Sequence, residues 1–219
     1  MAALQPDPCA LLPFSAGQLT PMQAIEGRHA VRSYTDEPLA SEAVEVLQKA
    51  IALVNEEANL NIQLVLDEPR AFTGFKARLV NFTNVGNYLA LGLNSCWVGG
   101  TYKVVNRAYN VDLGQKLAAV VALGYGASQG VPHRSKAPQE VAPGYDGAPE
   151  WFKRGVDAAL LAPTALNQQK FSFSLDGEEN DVPVVRASTK RGAFTQMDLG
   201  IAQCHFEIGA GNVLYRWAE

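Results

Sequence analysis

Two arginines and a histidine fall within five residues at Arg28-His29-Ala30-Val31-Arg32. Arginine forks match phosphate oxygens in pairs, and alternate residues of an extended chain share a side, so Arg28, Ala30 and Arg32 would face one way. An anionic ligand is one reading of the run and a solvated charged face is the other; spacing alone leaves both open. Arg134 and Lys136, just past the Gly124-Tyr125-Gly126 turn, form a second cationic pair with the same two readings. Between the pairs, Asn94 to Gly100 reads NSCWVGG, where two glycines after an apolar Cys-Trp-Val let backbone approach a flat ring closely. A planar aromatic cofactor would fit there, as would a strand ending in a glycine turn with Trp97 in the core. A fourth stretch, APTALNQQ at 162–169, sets small and amide side chains just beyond a helix end, where they suit a polar heterocycle.

Other chemistries are poorly served. His29, His133 and His205 lack the spacing that puts two ligands on one helical face, and Cys9, Cys96 and Cys204 form no CxxC pair, so the expectation is no metal site. A thiol enzyme built on Cys96 is disfavoured, because no histidine stands nearby and apolar surroundings raise a thiol's pKa. The formal charge is 18 − 22 = −4 and the pI is near 5.4, which argues against a nucleic-acid partner. No apolar stretch reaches the roughly 18 residues of a membrane span, so the expected location is the cytoplasm and the expected partner a small molecule.

The elements that must position these groups can be read from caps and periods. With 47% apolar and 18% charged residues, the 219-residue chain can bury a core as one large domain or two small ones. Residues 1–19 read as an arm. Thr20, Pro21 and Gln23 predict a capped helix ending near Gly27. Ser41 is the expected cap of a second, amphipathic helix with Val44, Leu47, Ile51 and Val54 facing the core. Ile62 to Leu66 alternates as a strand, Asn87 to Leu91 offers another, and KLAAVVALGY at 116–125 reads as a strand buried centrally in a sheet. Residues 127–147 read as linker or wrapping loop. A second block then starts at Pro149 with a helix that turns Trp151, Val156, Ala159 and Leu160 inward and stops before Pro163. Phe171, Phe173 and Leu175 alternate as a strand, 182–187 as its antiparallel partner, and Thr195, with Asp198 three residues on, is the expected cap of a last helix. The order is α+β: an arm at 1–19, a first block at 20–136, a linker at 137–149, and a half block at 150–219.

Taken together, these motifs resemble the nitroreductase family of flavoproteins, in particular its compact bacterial branch, over residues 21 to 210. RHAVRSYTDEPL resembles the family's opening motif, which implies that Arg28, His29, Ala30 and Arg32 grip the flavin phosphate and ring edge; Ala30 replaces a common Ser. LNSCWVGG resembles the segment laid against the isoalloxazine, here Trp97, Val98, Gly99 and Gly100. ALGYG with Arg134 and Lys136 is similar to the strand and basic pair that complete phosphate binding. APTALNQQKF resembles Pro-Ser-x-x-Asn-x-Gln-Pro-Trp, implying flavin contacts at Pro163, Thr164, Ala165 and Asn167, with Lys170 in place of Pro. MDLGIAQCHFEIGA resembles the family's long helix, so the chain reads as one and a half family units.

The resemblance implies a nitroreductase-like fold, with a mixed, mainly antiparallel sheet flanked by helices. It also implies one FMN per chain, NADH or NADPH as reductant, and ping-pong reduction of a small aromatic, nitro or quinone-type acceptor. The half block would supply in cis what a partner subunit supplies elsewhere, giving a monomer with an internal pseudo-dimer or a homodimer. A long helix usual in the family is missing where Leu91 joins Gly92. The competing readings are a flavin-binding or storage protein with little turnover, and a shortened member that binds no flavin.

Overall fold

The computed structural model describes residues 19–75, 77, 81–91, 102–111, 113, 117, 119–128 and 130–218, with backbone alone at 90–91. These fall in two units, one of residues His29–Pro132 and one joining Met1–Arg28 to His133–Glu219. The division differs from the blocks read along the sequence: the first helix groups with the second half of the chain.

After α1 (Pro21–Gly27), the unit of residues 29–132 begins its regular structure with α2 (Ser41–Ala58), which leads into a three-stranded antiparallel sheet of β1 (Ile62–Val65), β2 (Asn87–Leu91) and β3 (Ala119–Leu123), in the order β1-β2-β3. Asn59 ends α2 in a left-handed conformation that asparagine tolerates, its N–H returning to the Asn55 carbonyl. The Asn55 side chain then accepts from Ile62 N–H at 2.7 Å and donates to Ile62 O at 2.9 Å, tying helix end to strand start. Tyr34, Val65, Ala71, Phe72, Val85, Tyr88 and Val120 form the core. Three expectations change here. β3 is an edge strand among those described, with β2 in the centre, because a short apolar run marks burial without saying how many neighbours supply it. Ala40, not Ser41, is the N-cap of α2, and the Ser41 hydroxyl bonds Glu42 instead. Among the described residues α2 buries none fully; Val44, Leu47, Ile51 and Val54 are half-buried.

The other unit holds α1 (Pro21–Gly27), α3 (Pro138–Val141), α4 (Glu150–Leu160), β4 (Phe171–Glu179), β5 (Val182–Thr189), α5 (Thr195–Ala210) and β6 (Arg216–Trp217). Thr20 and Gln23 form the expected capping box on α1. The β4–β5 hairpin turns through Asn180 and Asp181, both at positive φ, as a two-residue hairpin turn demands. β6 adds in parallel to β5, so the described sheets are mainly antiparallel and the class is α+β. Residues 137–147 are more than a linker, since α3 carries Val141 and Ala142 into the core beside Phe152, Val156, Phe171, Phe173 and Phe206. The last helix is capped by Phe194 in the left-handed region rather than by Thr195, whose hydroxyl donates to Gly192 O.

Helices α4 and α5 cross at glycines. A methyl group on Gly209 would lie 2.5 Å from both Ala158 Cβ and Arg154 O, groups that cannot swing away. On Gly200 of the same helix it would meet nothing within 4 Å. Gly209→Ala should therefore cost about 1–3 kcal/mol in chemical denaturation, while Gly200→Ala should be neutral or gain up to about 1 kcal/mol of helix propensity. Equal effects of the two would contradict this crossing.

Candidate functional site

The end of α4 sets the site. Pro163 follows too closely for the helix to continue, so the carbonyls of Leu160 and Leu161 need partners from outside the helix, and α4 has no basic residue in its own last turn. Three other segments of the unit reach this helix end. His205 Nδ1 lies 3.1 Å from Ala158 O, His133 Nε2 2.9 Å from Leu160 O, and Arg28 Nη2 donates to Leu161 O at 3.5 Å. The Arg28 guanidinium, a permanent cation, also suits the negative end of a helix dipole.

Arg28 is the C-cap residue of α1 and is half-buried. Its Nε is buried without a hydrogen-bond partner, and no carboxylate pairs with its guanidinium among the described residues. Burial lowers its pKa. His205, buried on α5, has its pKa lowered first by burial and further by the nearby Arg28 charge, against the bond to Ala158 O.

Beyond α4 the chain makes a single 3-10 turn, Ala165–Asn167, inside a loop with three non-glycine residues at positive φ: Leu166 at 51°, Asn167 at 53° and Gln169 at 41°. Gln169, 1% exposed, pins this loop to residues 134–136. Its Oε1 accepts from Lys136 N–H at 2.9 Å, its Nε2 donates to Asn167 Oδ1 at 2.9 Å and Arg134 O at 3.3 Å, and its N–H donates to Thr164 Oγ1 at 3.1 Å. Lys136 Nζ donates to Gln169 O at 2.6 Å, and Asn167 Nδ2 to Arg134 O at 2.7 Å. From α5, Asp198 accepts Ala165 N–H at 2.8 Å and Gln168 Nε2 at 2.6 Å.

The structure thus brings together Arg134, Lys136, Thr164, Ala165 and Asn167 around Gln169, with Pro163 half-buried at the loop's start and Arg28 bonded two residues upstream of it. Several of these predicted ligand contacts are committed inside the protein: Arg134 serves the loop through its carbonyl, leaving its side chain exposed, and the Ala165 amide belongs to Asp198. His29, Ala30 and Arg32 lie in the other unit, where Ala30 and Arg32 are exposed and Gly130, at φ +71°, leaves no room for a side chain against His29 Cβ and Ala30 O. Trp97, Val98, Gly99 and Gly100 lie outside the described residues. Sequence reasoning missed Gln169, Asp198, His133 and His205. The two histidines were visible only as isolated residues, and nothing in their spacing shows that both cap one helix.

With this geometry in hand, the comparisons with known proteins are specific. The model of the family described as "Putative TM nitroreductase" matches residues 20–92 and 89–210, and the chain belongs to that family. It is thereby a member of an oxidoreductase family of nitroreductase type. The two matched segments overlap at residues 89–92. The fold is similar to that of a solved structure described as a putative nitroreductase from Thermotoga maritima MSB8, at TM-score 0.54 and 16% identity over 86% of this chain and 82% of that one. No curated protein matches the chain. Among the described residues, no helix is long and apolar enough to cross a membrane.

The depressed His205 pKa has a signed consequence. The folded chain holds this histidine neutral while the unfolded chain protonates it near 6.5, so the unfolded state binds more protons as pH falls below that value. Thermal stability should drop on acidification from about pH 6.5, and His205→Gln should flatten that part of the profile. An unchanged profile in the variant would show that other groups carry the acid sensitivity.

Proposed function

We infer that the chain is an FMN-dependent oxidoreductase that takes hydride from NADH or NADPH and passes it to a small aromatic, nitro or quinone-type acceptor. The observation that carries the reading is Arg28: a half-buried guanidinium that among the described residues has no carboxylate and no partner for its buried Nε, bonded to the helix end from which the Pro163–Gln169 loop departs. A half-buried cation with an unspent donor suits a phosphate, which accepts several charge-assisted bonds. The family membership and the loop's likeness to the flavin-contacting motif support the same assignment.

Arg28 would hold the phosphate, with the exposed Arg134 guanidinium adding charge from the same unit. Lys136 keeps its ammonium on the Gln169 carbonyl and so contributes mainly by fixing the loop. Pro163, Thr164, Ala165 and Asn167 would present a preset backbone to the ring system, which lowers the ordering cost of binding. When bound, FMN supplies the redox chemistry by accepting a hydride and giving it up again. The protein's part is to bind and orient, and no side chain of the described loop needs to move a proton.

Titration with FMN and with riboflavin tests this reading. FMN should bind more tightly, and Arg28→Ala should weaken FMN by about ten- to a hundredfold, the worth of one charge-assisted bond, while leaving riboflavin affinity nearly unchanged. Equal affinity for the two flavins, or an Arg28→Ala chain that still prefers FMN as strongly, would remove the phosphate assignment. A folded chain that takes neither flavin would favour the reading in which the shortened member has lost the cofactor.

A further inference from the structure

Asp198 lies in the first turn of α5 and is 1% exposed. Burial raises its pKa, and the bonds from Ala165 N–H and Gln168 oppose that. Such a group weakens the fold at neutral pH, because the folded chain favours the protonated form and ionisation above the shifted pKa costs stability. The chain nevertheless places this acid directly beneath the loop that carries the family motif.

Its two oxygens divide their work. Oδ1 holds the Ala165 amide and Oδ2 the Gln168 side chain, which also donates to Ala193 O at 3.0 Å. These two anchors bracket Leu166 and Asn167, both in the left-handed region. Leucine disfavours that conformation, and at 99% exposure the Leu166 side chain gains no packing that could offset it. The bonds on either side must therefore hold the backbone in place.

We propose that Asp198 is a positioning residue whose carboxylate locks the 164–168 backbone in the conformation that receives the cofactor, a role that rests on the FMN reading above. Asparagine at this position keeps the size but has one acceptor facing two N–H donors, so one bond is lost. In the full-length chain, Asp198→Asn should speed hydrogen exchange at the Ala165 amide by about tenfold or more and weaken FMN by a similar factor, with a melting temperature equal to or above that of the parent. Gln168→Leu, at a half-buried position, should move exchange and affinity the same way by less, and it serves where the first variant does not fold.

Unchanged Ala165 exchange, unchanged FMN affinity, or a melting temperature that falls in step with affinity would each overturn the proposal, the last by showing a merely structural role. If the parent chain takes no FMN, the FMN reading fails separately. Ala165 exchange still decides the lock: faster exchange at undiminished stability supports it, and unchanged exchange ends it.

Discussion

A helix that must stop, followed by a loop that must hold an unfavourable backbone, is the constraint around which the unit of residues 1–28 and 133–219 is arranged. Pro163 blocks extension of α4, so the carbonyls of Leu160 and Leu161 take His133 and Arg28 as partners, and His205 adds a second contact to Ala158 O, which the Leu161 N–H already bonds. Leu166, Asn167 and Gln169 then sit at positive φ; Asn167 and Gln169 bond residues 134–136, and Ala165 and Gln168, on either side of Leu166–Asn167, bond Asp198. Gln169 and Asp198 supply most of those bonds, and both are almost wholly buried. Unpartnered, each would cost more than an ordinary polar group on the surface; fully bonded, they define one arrangement.

The same arrangement explains how one residue can serve both fold and site. Arg28 caps α4 with one nitrogen and leaves Nε with no partner in a buried place. Its charge also helps keep His205 neutral.

Much of the fold was legible where local chemistry decides the outcome. The Thr20 capping box, the strands at 62–65, 87–91 and 171–179, and the helix beginning after Pro149 follow from caps, alternation and proline placement. The misses share a cause: tertiary context chose among groups of equal local merit. Ser41 and Thr195 are good caps by type, yet the backbone starts one residue earlier in each case. Val141 and Ala142, in a stretch rich in turn formers, became core because four residues of helix sufficed to point them inward. At the site, the motif was readable as a motif, but its internal wiring was not. Asp198 looked like half of a cap pair, and no pattern in one dimension shows that it bonds Ala165, 33 residues upstream.

Helix α2 keeps its apolar stripe half-buried among the described residues. The proposed flavin site, the loop after α4 with Arg28, lies in the other unit. The central claim is that a flavin held there turns over, and the most direct measurement is the visible spectrum of the FMN-loaded chain under anaerobic conditions as NADH or NADPH is added. The account predicts that the flavin band bleaches with at least one nucleotide and returns when a quinone or nitroaromatic is supplied. A bound flavin that stays oxidised in the presence of both nucleotides would contradict it.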